Sequence, residues 1–239
     1  MNFEHICPLV RWILPLPSGY GQDENERCVE VPLALEVARL DQPGLVLDAG
    51  GSLNLFEVRQ HGIWQARLWH YTQSLASEPI AACRDSVSYL CGDLRHLELA
   101  DGTCDRVVCV STLEHIGMDN RQYGGVLETE PSSALNAVRE LWRVLKPGGT
   151  LFLSFPYGQE LQECGGRYRT LGPDDVANIR YVLSAHSLTS AHIQPPSVLA
   201  SRYFLRTPQG WTDADASIAR GLAEGGKPVL GLCCLRAEK

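Results

Sequence analysis

Residues Val107–Asn120 read VVCVSTLEHIGMDN, and the architecture can be worked outward from them. A β-branched apolar run, Val107-Val108-Cys109-Val110, stops at Ser111-Thr112, and a carboxylate and an imidazole follow at Glu114 and His115. Short apolar runs of this kind fit strands buried on both faces, as in parallel sheets covered by helices. A strand that ends in small polar and ionisable residues delivers them to the carboxyl edge of the sheet, where open α/β sheets bind ligands.

Similar punctuation recurs on either side. Leu45-Val46-Leu47 is a short buried strand running into Asp48-Ala49-Gly50-Gly51, a turn whose glycines let the backbone bend sharply and approach a ligand. Trp69–Leu75 reads as a second strand, and Val87–Leu90 as a third that ends at Cys91-Gly92-Asp93. Asp105–Val110 is the fourth and Thr150–Phe155 the fifth. Between these last two, Ser132–Leu145 has helical apolar spacing and is closed by Lys146-Pro147-Gly148-Gly149, a cation followed by helix breakers. Helices are also expected over Val29–Leu40, Leu53–Gln60 and Pro173–Leu183, the last opened by a proline and two aspartates. Val198–Leu205 and Val229–Leu235 read as late strands that pair antiparallel at one edge. Strands alternating with helices predict a parallel sheet with right-handed crossovers.

The chain has 239 residues, is 44% apolar and carries a net charge of −7, enough for one substantial core. The expected layout is a single domain over 1–239: an arm and helix in 1–40, a ligand-binding half in 41–157 and a substrate-side half in 158–239. No basic stripe is visible, which argues against nucleic acid as a partner. Nine cysteines form no CxxC pair, and several sit inside apolar runs. They read as reduced, mostly buried residues of a cytoplasmic protein, without metal-ligand spacing. The apolar run Ile6–Leu16 contains Pro8, Arg11 and Pro15, is too broken to span a membrane, and reads as an arm packed on the domain or as a flap or dimer contact. The oligomeric state stays open.

Taken together, VLDAGG at Val46–Gly51, CGDLRHLEL at Cys91–Leu99, CDRVVCVSTLEHIGMDN at Cys104–Asn120 and ELWRVLKPGGTLFLSFPYG at Glu140–Gly158 resemble the class I S-adenosylmethionine-dependent methyltransferases. With Gly166-Arg167-Tyr168 and Gly210-Trp211, STLEHIGMDN is similar to a bacterial subgroup associated with surface-polysaccharide or secondary-metabolite genes. The resemblance implies an α/β, Rossmann-like, seven-stranded and mostly parallel sheet with an antiparallel C-terminal hairpin and helices on both faces. It implies S-adenosylmethionine as cofactor, lying across the carboxyl ends of the first half of the sheet. Asp48, Gly50 and Gly51 would then line its methionine and ribose part, with Ser52 and Asn54 completing the turn. Gly92 and Asp93 would meet the adenine, Asp93 accepting from its amino group, and the Leu94 amide would face the ring. Ser111, Thr112 and Leu113 would approach the sulfonium and its methyl group.

Two departures from the family pattern stand out. Ser52 and Asn54 occupy positions where the usual motif has glycines. The second strand ends without the carboxylate that holds the ribose hydroxyls, so either Glu78 reaches back or cofactor binding is weakened or lost.

Methyl transfer to a hydroxyl or amine needs alignment of the reacting atoms and a base near the methyl group. His115 has the intrinsic pKa for that role, and Glu114 would hold its ring or bind substrate. The alternative is that both residues cap the next helix or tie down the loop. Tyr123, Tyr157, Arg167 and Tyr168 are candidates for an acceptor pocket. The sequence therefore supports a methyltransferase acting on a small molecule at oxygen or nitrogen. A methyltransferase-like binding module without turnover is the rival reading. A dinucleotide-dependent oxidoreductase ranks last, because the Gly-x-Gly-x-x-Gly fingerprint is missing.

Overall fold

The computed structural model describes residues 10–53, 65–72, 87–159, 162–185, 196–219 and 231–239. Most of the predicted helix Leu53–Gln60, Asn54 and Glu78 lie outside them.

Helix α1 (Arg27–Ala38) leads into strand β1 (Gly44–Ala49), followed by β2 (Ala66–Thr72), β3 (Val87–Cys91) and β4 (Cys104–Val110). Helix α2 (Ala134–Val144) connects to β5 (Leu145–Tyr157). A two-stranded ribbon, β6 (Gln162–Glu163) with β7 (Tyr168–Arg169), precedes α3 (Pro173–Ala185). Strand β8 (Val198–Thr207), β9 (Gly210–Ala214), the short α4 (Ala216–Ala219) and β10 (Gly231–Glu238) complete the described chain.

One sheet has the order β3-β2-β1-β4-β5-β10-β8-β9. Strands β1 to β5 run parallel, and β10 lies antiparallel to both β5 and β8. The chain order reverses between β1 and β4, and at such a switch point two loops leave the sheet in opposite directions and open a crevice. Among the described residues the sheet has eight strands rather than the seven expected. The addition is β9, a five-residue strand that folds back antiparallel on β8 through the turn at Pro208-Gln209. Its sequence, GWTDA, lacks the apolar run that marks the others.

Strand β4 shows why its sequence reads as it does. Val107 and Cys109 point into a core shared with α2 and α3, while Val108 and Val110 point into the core beneath α1. Both faces are covered, so the strand is apolar throughout. Helix α2 buries Ala134, Ala137, Val138, Leu141 and Trp142, one stripe at helical spacing. Its end falls at Val144, where the backbone of Leu145 turns extended.

Helix α1 carries Pro32 in its middle, which removes one backbone donor. The carbonyl thereby deprived, four residues back at Cys28, accepts instead from the buried Tyr20 hydroxyl at 2.7 Å. Strand β2 begins at Ala66, three residues before the span predicted for it, because its apolar and polar residues alternate too irregularly to set the start; residues 73–75 of that span lie outside the described residues. Cys28, Cys104, Cys109, Cys233 and Cys234 are buried thiols outside any disulfide. No helix among the described residues is long and apolar enough to cross a membrane.

Candidate functional site

The crevice at the switch point is an open cleft with about 830 Å³ of empty volume. Its floor is the turn after β1. Gly50 has φ +93, and a Cβ there would lie 2.0 Å from Thr112 Oγ1, so glycine lets the β1 and β4 loops touch. Thr112 Oγ1 donates to the Val110 carbonyl at 2.9 Å, and Ser52 Oγ donates to the same oxygen at 2.9 Å. Ser52, standing where a glycine was expected, thus pins the β1 turn to β4.

Beneath this floor, Asp48 Oδ2 accepts from the Leu53 amide at 2.9 Å and sits 3.5 Å from His70 Nδ1. Both side chains are fully buried, and the His70 ring fills the space that a Cβ on Gly51 would take. Asp48 and Gly51 therefore shape the turn from behind.

On the β3 side, Asp93 and Leu94 line the cleft. Asp93 receives a fork of hydrogen bonds from Arg95, including Nη2 to Oδ2 at 2.6 Å. Burial works against its ionisation, but the Arg95 bonds and charge outweigh that and hold its pKa below the usual carboxylate range. Arg95 forks again onto Glu128, at 2.7 Å from each oxygen. Strand β2 contributes Tyr71 and Thr72 to the wall, hydroxyls where the family pattern has a carboxylate. Gly92 adjoins Tyr71, whose hydroxyl would lie 2.2 Å from an added Cβ.

A second cavity, with about 1130 Å³ of empty volume, opens beside the first. Glu114 lines it, as do Tyr123, Arg167, Tyr168 and Trp211. Tyr157 instead packs in the core, its ring 4.8 Å from that of Tyr203. The two cavities share Arg27, Ser111, His115 and Tyr123 as lining.

The electrostatics of that shared wall are unusual. His115 Nδ1 lies 3.0 Å from the Arg167 carbonyl, an acceptor, so Nδ1 carries the proton and Nε2 the lone pair. Burial lowers the His115 pKa, which keeps the ring neutral at neutral pH. Glu114 is pushed up to about 8, chiefly by burial. Glu30 on α1 is also fully buried and raised by burial, which Arg27 offsets in part. Its Oε1 accepts from Ser111 Oγ at 2.6 Å, and its Oε2 lies 3.0 Å from Arg27 Nη1. Ser111 holds φ +40, a left-handed backbone that non-glycine residues rarely adopt.

The expected site residues thus divide. Gly50, Ser52, Asp93, Leu94, Ser111, Thr112 and His115 line the first cleft, and Glu114 the second cavity. Asp48, Gly51 and Gly92 stand behind these surfaces. Leu113 is buried and faces a separate hollow with Ala134 and Leu171. Arg27, Glu30, Arg95 and Glu128 were not anticipated. The one signal for Glu30 was a carboxylate inside the apolar run CVEVPLALEV, since charged residues are seldom buried without a partner.

Residues 49–153 match a family model described as "Methyltransferase domain". Over that span the chain is similar to a methyltransferase domain. Solved structures share its fold. The 1,6-didemethyltoxoflavin-N1-methyltransferase of Burkholderia thailandensis, solved with S-adenosylhomocysteine, is 16% identical with a TM-score of 0.52, over 86% of this chain and 76% of that one. A putative methyltransferase of Bacillus halodurans is 13% identical with a TM-score of 0.50, over 86% and 96%. The [4+2]-cyclase SpnF is 17% identical with a TM-score of 0.51, over 86% and 78%. No curated protein matches the chain in sequence.

The cleft suits S-adenosylmethionine. Leu94 and Ile116 offer apolar surface for a purine, and Tyr71, Thr72 and Thr112 offer hydroxyls. Two arginines face the cleft, yet Arg95 is ion-paired with Asp93 and Glu128, and Arg27 with Glu30. Neither leaves an uncompensated positive charge facing a sulfonium.

Proposed function

We propose that the protein transfers a methyl group from S-adenosylmethionine to an oxygen or nitrogen of a small molecule, with the cofactor in the first cleft and the acceptor in the second cavity. The observation that carries this reading is the wall shared by the two cavities at Arg27, Ser111, His115 and Tyr123. When bound, S-adenosylmethionine supplies a methyl group activated by a sulfonium. The chain's own contribution is alignment, exclusion of water and removal of the acceptor's proton. Neutral His115, with its lone pair on Nε2, takes that proton. Tyr123, Tyr168 and Trp211 supply ring surfaces, while Gln122 and Arg167 supply polar groups. A sugar or a polar secondary metabolite fits this mixture of stacking and hydrogen bonding.

A second reading, a binding module without turnover, draws on the ending of β2 in Tyr71-Thr72 rather than a carboxylate. The same fold also carries SpnF, described as a cyclase. A thermal-shift titration with S-adenosylmethionine and S-adenosylhomocysteine tests the cofactor site. Stabilisation that grows with either ligand supports it, and an unchanged melting temperature up to millimolar ligand removes it. Formation of S-adenosylhomocysteine in a screen of hydroxyl and amine compounds then separates the enzyme from the module.

A further inference from the structure

Residues 117–130 leave the β4 side of the first cleft and return to it as an Ω-type loop. Its two ends are stapled together. The Glu130 amide donates to the Gly117 carbonyl at 2.9 Å, and Gly117 holds φ +78, with the Glu130 carbonyl oxygen 2.0 Å from where a Cβ would stand. Further out, Asp119 pairs with Leu127, and the Asn120 amide donates to the Val126 carbonyl at 3.1 Å. Asn120 is buried, and its Nδ2 donates to the His115 carbonyl at 2.7 Å. Every residue of 121–130, by contrast, is exposed or half-buried, with Val126 and Leu127 among the exposed. A segment with so little buried apolar surface opens more readily than the sheet beside it.

Side chains tie this segment down. Glu128 accepts from Arg95 Nη1 and Nη2, each at 2.7 Å. The same guanidinium is forked on Asp93, two residues after β3, through Nε at 2.9 Å and Nη2 at 2.6 Å. A bidentate fork fixes orientation as well as distance, so the loop is joined to the β3 wall of the cleft. Gln122 is held separately, its Oε1 accepting from Arg167 Nη1 at 2.8 Å. Asn120 and Tyr123 line the first cleft, Gln122 and Tyr123 line the second cavity, and the Tyr123 ring stands edge-on 5.5 Å from the His115 ring. Movement of 121–129 therefore widens both cavities at once and takes the Tyr123 ring off His115.

We propose that residues 121–129 are a lid over both cavities, that Glu128 latches it shut on Arg95, and that ligands enter and leave when this fork breaks. The latch stands on the geometry of the loop, and the identity of the ligand rests on the methyltransferase reading. Glu128 lines neither cavity, so it acts through Arg95 and is a positioning residue.

Trypsin cleavage after Arg121 reports lid opening in the ligand-free protein. The Arg121 side chain is 66% exposed, but its backbone must leave the loop's hydrogen bonds to enter a protease. Glu128→Gln keeps the size of the side chain and removes its charge. Cleavage at Arg121 is expected to quicken by about fivefold, the most that a pair so open to solvent supports, with other sites cut at the wild-type rate. In stopped-flow mixing with S-adenosylhomocysteine, the association and dissociation rates of the variant are expected to rise together and leave the affinity nearly unchanged, because a gate that opens more often speeds traffic in both directions. A rise in dissociation alone makes Glu128 part of the binding surface and overturns the lid. Unchanged cleavage at Arg121 overturns the latch. Failure of S-adenosylhomocysteine to bind the wild-type protein removes the cofactor reading, and the cleavage result then decides the latch by itself.

Discussion

The two cavities are built in opposite ways. The first cleft is mostly lined by residues within a few positions of a strand end: Gly50 and Ser52 after β1, Tyr71 and Thr72 at the end of β2, Asp93 and Leu94 after β3, Ser111 and Thr112 after β4. The second cavity gathers Glu26 from before α1, Glu114 and His115 from after β4, Tyr168 from the small ribbon, Trp211 from β9 and Leu232 from β10. Strand-edge loops that follow a parallel sheet serve many chemistries with one geometry, whereas a cavity assembled from distant segments can be reshaped without disturbing the sheet. On this reading the first cleft sets the chemistry and the second sets the acceptor.

The sharpest way to break the contrast is at the floor of the first cleft. Gly50→Ala places a Cβ against Thr112 at a positive φ. It is expected to abolish cofactor binding by calorimetry and to lower stability by about 1–3 kcal/mol in urea unfolding. Normal binding by this variant would show that the turn is not part of the site.

His115→Ala acts at the shared wall. It is expected to slow turnover by roughly 10²–10⁴-fold with cofactor affinity preserved, measured as S-adenosylhomocysteine formation with an acceptor found by screening. Equal loss of affinity and rate would assign His115 to the loop rather than to proton transfer.

Asp93→Ala sharpens the adenine side. Loss of a charged hydrogen-bond partner of the adenine predicts cofactor affinity weaker by about 1–3 kcal/mol. Arg95→Met is the control. If Asp93 only holds Arg95, the two variants lose the same affinity, and if Asp93 also meets the ligand, Asp93→Ala loses more.

Glu114 yields a pH signature independent of any ligand. Its folded pKa of about 8 lies above the ordinary glutamate value, so between the two the unfolded chain binds fewer protons than the folded one. The stability linked to this group is complete below the unfolded pKa and is lost as pH rises toward 8. Urea unfolding across that range should show Glu114→Gln gaining on the wild type with rising pH. A constant gap between them contradicts the raised pKa.

The smallest effect is expected at the partly exposed Arg95–Glu128 bridge. Glu128→Gln should change stability by about 0–1 kcal/mol, since solvent screens such a pair.

The order of strands and helices was legible in the chain because the residues that set it are local. Apolar runs buried on both faces, as in Val107–Val110, must be central strands, and Lys146-Pro147-Gly148-Gly149 cannot continue a helix. The motifs that end each strand carried much of the lining of the first cleft with them. The ninth strand escaped notice because Gly210–Ala214 is stabilised by pairing with β8 and by burial of Trp211, neither visible in a five-residue composition. The second strand starts three residues earlier than its sequence suggests because Trp69-His70-Tyr71 gives no clean alternation. His70 itself is buried by contact with Asp48 and Gly51, partners far away in the chain.

Local sequence determined the sheet, its carboxyl edge and the residues that edge presents, because period and punctuation act over a few residues. Tertiary packing alone decided that Glu30, 81 positions before Ser111, reaches its hydroxyl and that Arg27 compensates it. Burial, like-charge repulsion and cavity shape depend on which distant segments meet, and the linear order of residues does not specify that.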